Sequence, residues 1–200
     1  TYAREPEQLK IAYMCDPWSG AEVNDEVKAA CLATARQCEQ LGHNVNEDKP
    51  AIDWDQFLDA THILWTANIV VYVEMAAAMT GRKIDENTLE ATTLACYHYG
   101  KEIKAEQFIR AQSVANQICR SVGHFFQNYD LLLTPTTTQP PLQIGEINAN
   151  DPNLDALGWS NHVFKYCPFT PLFNTTGQPA ISLPLHQTKG GLPIGMQFVG

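Results

Sequence analysis

Lys10-Ile11-Ala12-Tyr13-Met14-Cys15, closed by Asp16-Pro17, is a short apolar run, and its length favours a strand buried on both faces. Downstream, Asn24 stands as an N-cap before Asp25 and Glu26, two acids suited to the first turn of a helix. Val27, Ala30, Cys31, Thr34, Cys38 and Leu41 then recur at helical spacing, and Gly42 supplies the stop. A second short strand follows over His43–Glu47. The pattern is strand, helix, strand, with a crossover long enough to make the strands parallel. The expectation is an α/β core in which Ile11–Cys15 and Val45–Glu47 are parallel neighbours joined by the Asn24–Leu41 helix.

Working outward, Asp53–Met79 reads as mostly helical, with Trp65 and Asn68 interrupting an apolar stretch. Glu86–Gly100 reads as a shorter helix. From Lys104, the positions Phe108, Ala111, Ala115, Ile118, Val122, Phe125 and Phe126 hold one apolar face for over five turns. Asp130–Pro135 is another buried strand, closed by proline. Gln139–Leu157 is poor in large apolar residues and reads as a surface excursion. Ala180–Leu185 and Ile194–Val199 are strand-like and flank a Lys189-Gly190-Gly191 turn. Pro184 argues for an edge strand or a bulge. The ending on Met196–Gly200 suggests a chain cut at both ends.

The chain has 200 residues, 44% of them hydrophobic and 18% charged, a globular composition for one domain or a piece of a larger one. Its formal charge of −9 repels phosphate backbones and anionic lipid, which excludes nucleic-acid binding as a main role. No stretch approaches the ~20 apolar residues needed to cross a bilayer, and the N-terminal TYAREPEQLK is no signal peptide. The six cysteines, at 15, 31, 38, 96, 119 and 167, lack metal-ligand spacing. They read as reduced, mostly buried thiols of a cytoplasmic protein. The six histidines form neither HExxH nor HxH, so no metal site is expected.

Chemistry is harder to find. Ser19, Ser113, Ser121, Ser160 and Ser182 lie in neither GxSxG nor SxxK, the usual settings of an activated serine. Buried packing outweighs nucleophile for Cys15 and Cys167. Phosphate-binding glycine loops are missing as well. No cofactor is expected.

Three motifs carry a resemblance. Phe173–Leu185, FNTTGQPAISLPL, resembles the FNxTGQPAxSxPL segment of amidase-signature enzymes. Gly191–Gly200, GLPIGMQFVG, is similar to that family's GLPIGxQxVG, and Tyr129–Thr136, YDLLLTPT, to its YDxLLTPT. A finer likeness, in GEINANDPNLDALGW and PFTPLFNTTGQPAISLPL, points to the 6-aminohexanoate cyclic-dimer hydrolase branch. The physics of these motifs is structural. Gly177-Gln178-Pro179 needs a flexible backbone and then a fixed φ, and Gly195 is placed to let another backbone approach closely.

The resemblance implies a mixed β-sheet flanked by α-helices, with residues 1–200 the C-terminal portion of a single amidase-signature domain. It implies hydrolysis of linear or cyclic amides by a serine, a second serine in a cis peptide and a lysine base. The family's Gly/Ser-rich catalytic segment has no counterpart here, so no catalytic residue is carried over, and the chain alone is expected to be inactive. Trp65, Asn68, Thr136, Cys167 and Phe169 are the candidate substrate-binding residues, with packing the stronger reading for Trp65. The expected partner is a small-molecule amide, without nucleic acid or membrane; a homo-oligomer is allowed. Two other readings stand beside this one: the A-type component of a tRNA-dependent amidotransferase, and a non-catalytic scaffold.

Overall fold

The structure, a computed structural model, describes residues 7–200; the start of the stretch read as lacking a signal peptide lies outside them. Two compact units emerge. One comprises residues 7–53, 118–142 and 166–200, the other residues 54–117 and 143–165.

The first unit is built on a five-stranded sheet of order β2-β1-β3-β5-β4. Its strands are β1 (Lys10–Tyr13), β2 (Asn44–Glu47), β3 (Leu131–Pro135), β4 (Ala180–Gln187) and β5 (Pro193–Val199). β1 runs parallel to β2, with Ile11 opposite Val45, and parallel to β3, with Ile11 opposite Leu131. The expected crossover is therefore present, through α1 (Asp25–Gln40), although β1 ends two residues earlier than the apolar run. Asn24 Oδ1 accepts from the Glu26 N–H at 2.9 Å, and Gly42 takes φ +93° just past the helix, as both signals require. β5 runs antiparallel to β3 and to β4, and the β4–β5 register slips between Leu183 and His186, around Pro184. Proline cannot donate to the ladder, so an edge strand with an irregularity accommodates it.

Helices pack on both faces of the inner strands, while the edge strand β4 stays largely exposed. His186 stands opposite Ile194, and its Nε2 lies 2.9 Å from Thr34 Oγ1, so α1 packs on the face shared by those residues. Gln197 points to the other face and donates to the carbonyl of Phe169, which precedes α6 (Pro171–Thr176). Ile11, Leu132, Leu133, Met196 and Val199 are buried between. Proline opens α6, and Gly177 closes it at φ +81° while its N–H donates to Phe173 O at 2.8 Å.

The second unit holds α2 (Trp54–Thr80), α3 (Ala91–Lys101), most of α4 (Ala105–Phe125) and α5 (Ala156–Tyr166), α4 and α5 each running on into the first unit. Three corrections arise here. The helix expected from Glu86 starts at Ala91, because Asp85 holds a turn by accepting from the Asn87 and Thr88 N–H groups. Residues 139–157 are more than a surface excursion: Ala149 O and Asn150 Oδ1 accept the first N–H groups of α3. α5 was not anticipated, since Gly158, Ser160 and Asn161 are poor helix formers. Asp155 compensates by accepting from the Gly158 N–H at 2.7 Å.

A fourth correction concerns α2. By length and composition alone it could cross a membrane: an 18-residue window has mean hydropathy 1.4, and 11% of that window is buried. Its Thr, Asn and Tyr residues break every apolar run but carry no charge, so the mean stays high. Core helices of soluble proteins meet the same measure.

His62 on α2 is only 5% exposed, and its Nε2 has no hydrogen-bond partner among the described residues. Burial holds this imidazole below its ordinary pKa, against a smaller upward pull from Asp59. Below pH ~6.5 the unfolded chain takes up a proton that the folded chain still refuses, so folding stability falls as pH drops through that window. Urea unfolding between neutral and mildly acidic pH should show this loss, and His62→Gln should flatten it. An unchanged slope in the variant would contradict it.

Candidate functional site

Thr136 stands one residue beyond β3, where α/β folds commonly place ligand contacts. Its N–H donates to Gly195 O at 3.0 Å, and its hydroxyl lies 2.6 Å from Ser182 Oγ on β4. Gly195 makes this pairing sterically feasible. A Cβ at 195 would stand 2.8 Å from Thr136 Oγ1 and 3.0 Å from Ser182 Oγ. The close approach anticipated at this glycine is therefore made by two side-chain hydroxyls.

Two residues on, Thr138 donates to Tyr166 O through both its N–H (2.8 Å) and its hydroxyl (3.0 Å). This brings the segment carrying Cys167 and Phe169 to the end of β3. Burial pushes the half-buried Cys167 thiol up, against hydrogen bonds from Thr170 and the backbone that pull it down. The Phe169 ring is 0% exposed. Behind it, the buried Gln197 amide bridges Thr134 Oγ1 at 3.1 Å and Phe169 O at 3.5 Å. Thr136, Cys167 and Phe169 thus share one end of the sheet. Ser182 and Gln197, which share it too, were passed over, though both lie within the quoted C-terminal motifs.

Trp65 and Asn68 belong to the second unit. The half-buried Trp65 stacks on Phe164 of α5, with ring centroids 6.1 Å apart and planes at 26°. Asn68 is exposed and donates to Leu64 O at 2.7 Å, so its amide is engaged by its own helix. Two cavities open in this unit. One of about 290 Å³ runs along Tyr72, Val73, Arg82 and Leu89, the other of about 230 Å³ between Asp59, Ile63 and Arg110. Neither is lined by a candidate residue.

None of the serines resembles an activated nucleophile. Ser113, Ser121 and Ser160 donate to the backbone carbonyls of Ile109, Ala51 and Ala156. Ser19 accepts from the Ala21 N–H, and Ser182 meets Thr136. A general base needs hydrogen-bond reach of the proton that it takes, and among the described residues no serine hydroxyl has a basic side chain as its partner. All six cysteines are free thiols, and no group of three His, Cys, Asp or Glu among the described residues could hold a metal ion.

Comparison with known proteins adds the family. The Amidase family model matches residues 1–200. A lipoamidase of Enterococcus faecalis is 29% identical over 204 residues, which cover 94% of this chain. The solved structure of 6-aminohexanoate cyclic dimer hydrolase superposes with a TM-score of 0.87 at 25% identity, over 99% of this chain. A bacterial aryl acylamidase gives a TM-score of 0.71 at 20% identity over 96%, a likeness of fold alone. The chain spans 28% of the lipoamidase and 42% of the cyclic-dimer hydrolase.

Proposed function

The chain belongs to the Amidase family of hydrolases, and from that premise we propose that it is the C-terminal portion of one amidase-signature domain acting on cyclic or linear amides. The supporting observation is the 0.87 TM-score over 99% of the chain with a hydrolase of the 6-aminohexanoate cyclic dimer. In this reading a Ser–cis-Ser–Lys triad from outside these residues performs acyl transfer. The serine attacks the amide carbonyl, the lysine takes its proton through the second serine, and backbone N–H groups hold the developing oxyanion. The present residues supply substrate contacts. In the first unit Thr136 offers a hydroxyl at the sheet end and the half-buried Cys167 a thiol, while the fully buried Phe169 ring packs behind them and cannot itself touch substrate. In the second, Trp65 offers a flat ring and Asn68 an amide on α2. The substrate is a small amide in an aqueous compartment, without nucleic acid.

The test is an assay of the purified 200-residue chain against aryl amides, linear oligoamides and the cyclic 6-aminohexanoate dimer. No turnover above buffer is expected. The reading frame upstream of Thr1 should encode a lysine followed by a GGSSGG-like run, and the protein carrying both should hydrolyse at least one of these amides. Turnover by the chain alone, abolished by changing one of its serines or cysteines to alanine, would overturn the proposal; so would an inactive longer protein.

A further inference from the structure

The groove of about 230 Å³ in the second unit lies between the opening turns of α2 and α4. Its floor is apolar: Ala60 and Ala111 are buried, Ile63 and Val114 half-buried. Its rim carries opposite charges on opposite helices, Asp59 on α2 and Arg110 on α4, both exposed. On each helix the lining residues recur at spacings of three and four, the positions that share one helical face. Neither charge is neutralised by an ion pair. Among the described residues those pairs are Lys28–Asp16 and Lys101–Glu74.

We propose that this groove binds a short zwitterion, a carboxylate and an ammonium joined by a methylene chain, and that the linear product of ring-opening amide hydrolysis is such a ligand. The polarity follows from the donors. Gln107, one turn before Arg110, uses its Oε1 to accept from the Lys104 N–H at 2.9 Å, so its amide N–H groups and the guanidinium both donate. The carboxylate therefore belongs at α4. Asp59, an acceptor when ionised, takes the ammonium at α2. The methylenes lie on Ala60, Ile63, Ala111 and Val114, as a lysine stem lies along an apolar surface. The volume is below the about 300–1,000 Å³ of pockets that take drug-sized ligands, which suits a small occupant. The two charges rest on the groove alone, whereas the spacer and the source of the ligand rest on the amide-hydrolase reading. Cleaving an amide frees one amine and one carboxylate, and when that amide closes a ring, both stay on the same chain.

The experiment titrates the 200-residue chain with 6-aminohexanoate, its linear dimer, hexanoate, hexylamine and the neutral cyclic dimer, following backbone amide shifts by NMR. Exposed charge pairs are weak, so at least one zwitterion should saturate with a Kd of about 1 mM, shifting the turns around Asp59 and Arg110. Hexanoate and hexylamine, each short of one charge, should bind about five-fold more weakly, and the cyclic dimer more than about ten-fold. Arg110→Gln and Asp59→Asn should each weaken the zwitterion about five-fold, and exchanging the two charges, Asp59→Arg with Arg110→Asp, should restore it. The ligand series needs no substitution, so a variant that fails to fold does not decide the matter. Equal affinity for the zwitterion and hexanoate, shifts confined to other residues, or unchanged affinity in both single variants would overturn the proposal. So would loss of binding in the longer protein, which would show the groove covered by the rest of the domain. A longer protein that binds the zwitterion but cleaves no amide would remove the amide-hydrolase reading and leave the site standing; one that cleaves amides but ignores every zwitterion would do the reverse.

Discussion

Phe169→Ala is expected to lower the unfolding free energy by about 3–5 kcal/mol, the usual cost of emptying a fully buried aromatic site. The ring is 0% exposed, and it sits beside Leu172 and Phe173, both buried, on the sheet face reached by Gln197. Two costs add. Apolar surface returns to water in the unfolded reference without an equal gain in the folded state, and the cavity forfeits dispersion contacts that water cannot replace. The backbone around 169 cannot easily collapse inward, because its carbonyl is tied to Gln197 and Thr138 ties Tyr166 three residues before it. Phe169→Leu, which keeps most of the volume, should cost under about 1.5 kcal/mol. Urea unfolding of the two variants beside the parent chain measures both. Equal losses would show that volume at 169 is unimportant and that the ring does not hold this face together.

Gly100→Ala is the second large effect, and here a substitution that normally helps a helix should harm it. In an unconstrained helix interior, alanine is favoured over glycine by about 0.5–1 kcal/mol. At 100, however, an added Cβ would stand 2.4 Å from the Thr66 carbonyl oxygen and 2.7 Å from Val70 Cγ2. The carbonyl belongs to the hydrogen-bonded ladder of α2, and valine in a helix has essentially one χ1 rotamer, so neither neighbour can give way cheaply. The clash wins. α2 and α3 must separate along a contact that includes the buried Thr66, at a cost of about 2 kcal/mol or more. Gly123→Ala on α4 is the matched control. Nothing lies within 4 Å of its Cβ, so it should stabilise by about 0.5–1 kcal/mol. Opposite signs for the two glycines are the expected result, and a stabilised Gly100→Ala would refute the close helix crossing.

Much of the sheet was legible because its signals are local. The apolar run after Lys10, the Asn24 cap, the Gly42 stop, Pro184 at an edge and the positive φ of Gly177 each follow from the residue and its immediate neighbours. Family membership was legible for a similar reason, since it rests on three contiguous motifs. The candidate site was only partly so. Thr136 could be placed by its position after a strand, but its partner Ser182 lies 46 residues away and is joined to it only by the β3–β5–β4 order.

The sequence by itself thus determined the strand–helix–strand opening, the hairpin at the end and the kind of protein this is, because turns, caps and apolar periods act over a few residues. Tertiary structure alone decided where α3 begins and that Thr136 meets Ser182. Those outcomes depend on groups supplied from distant segments: the Ala149 carbonyl for α3, and the β3–β5–β4 order for the two hydroxyls. A local pattern carries no record of such partners, because the free energy that selects them arises only when the chain has closed on itself.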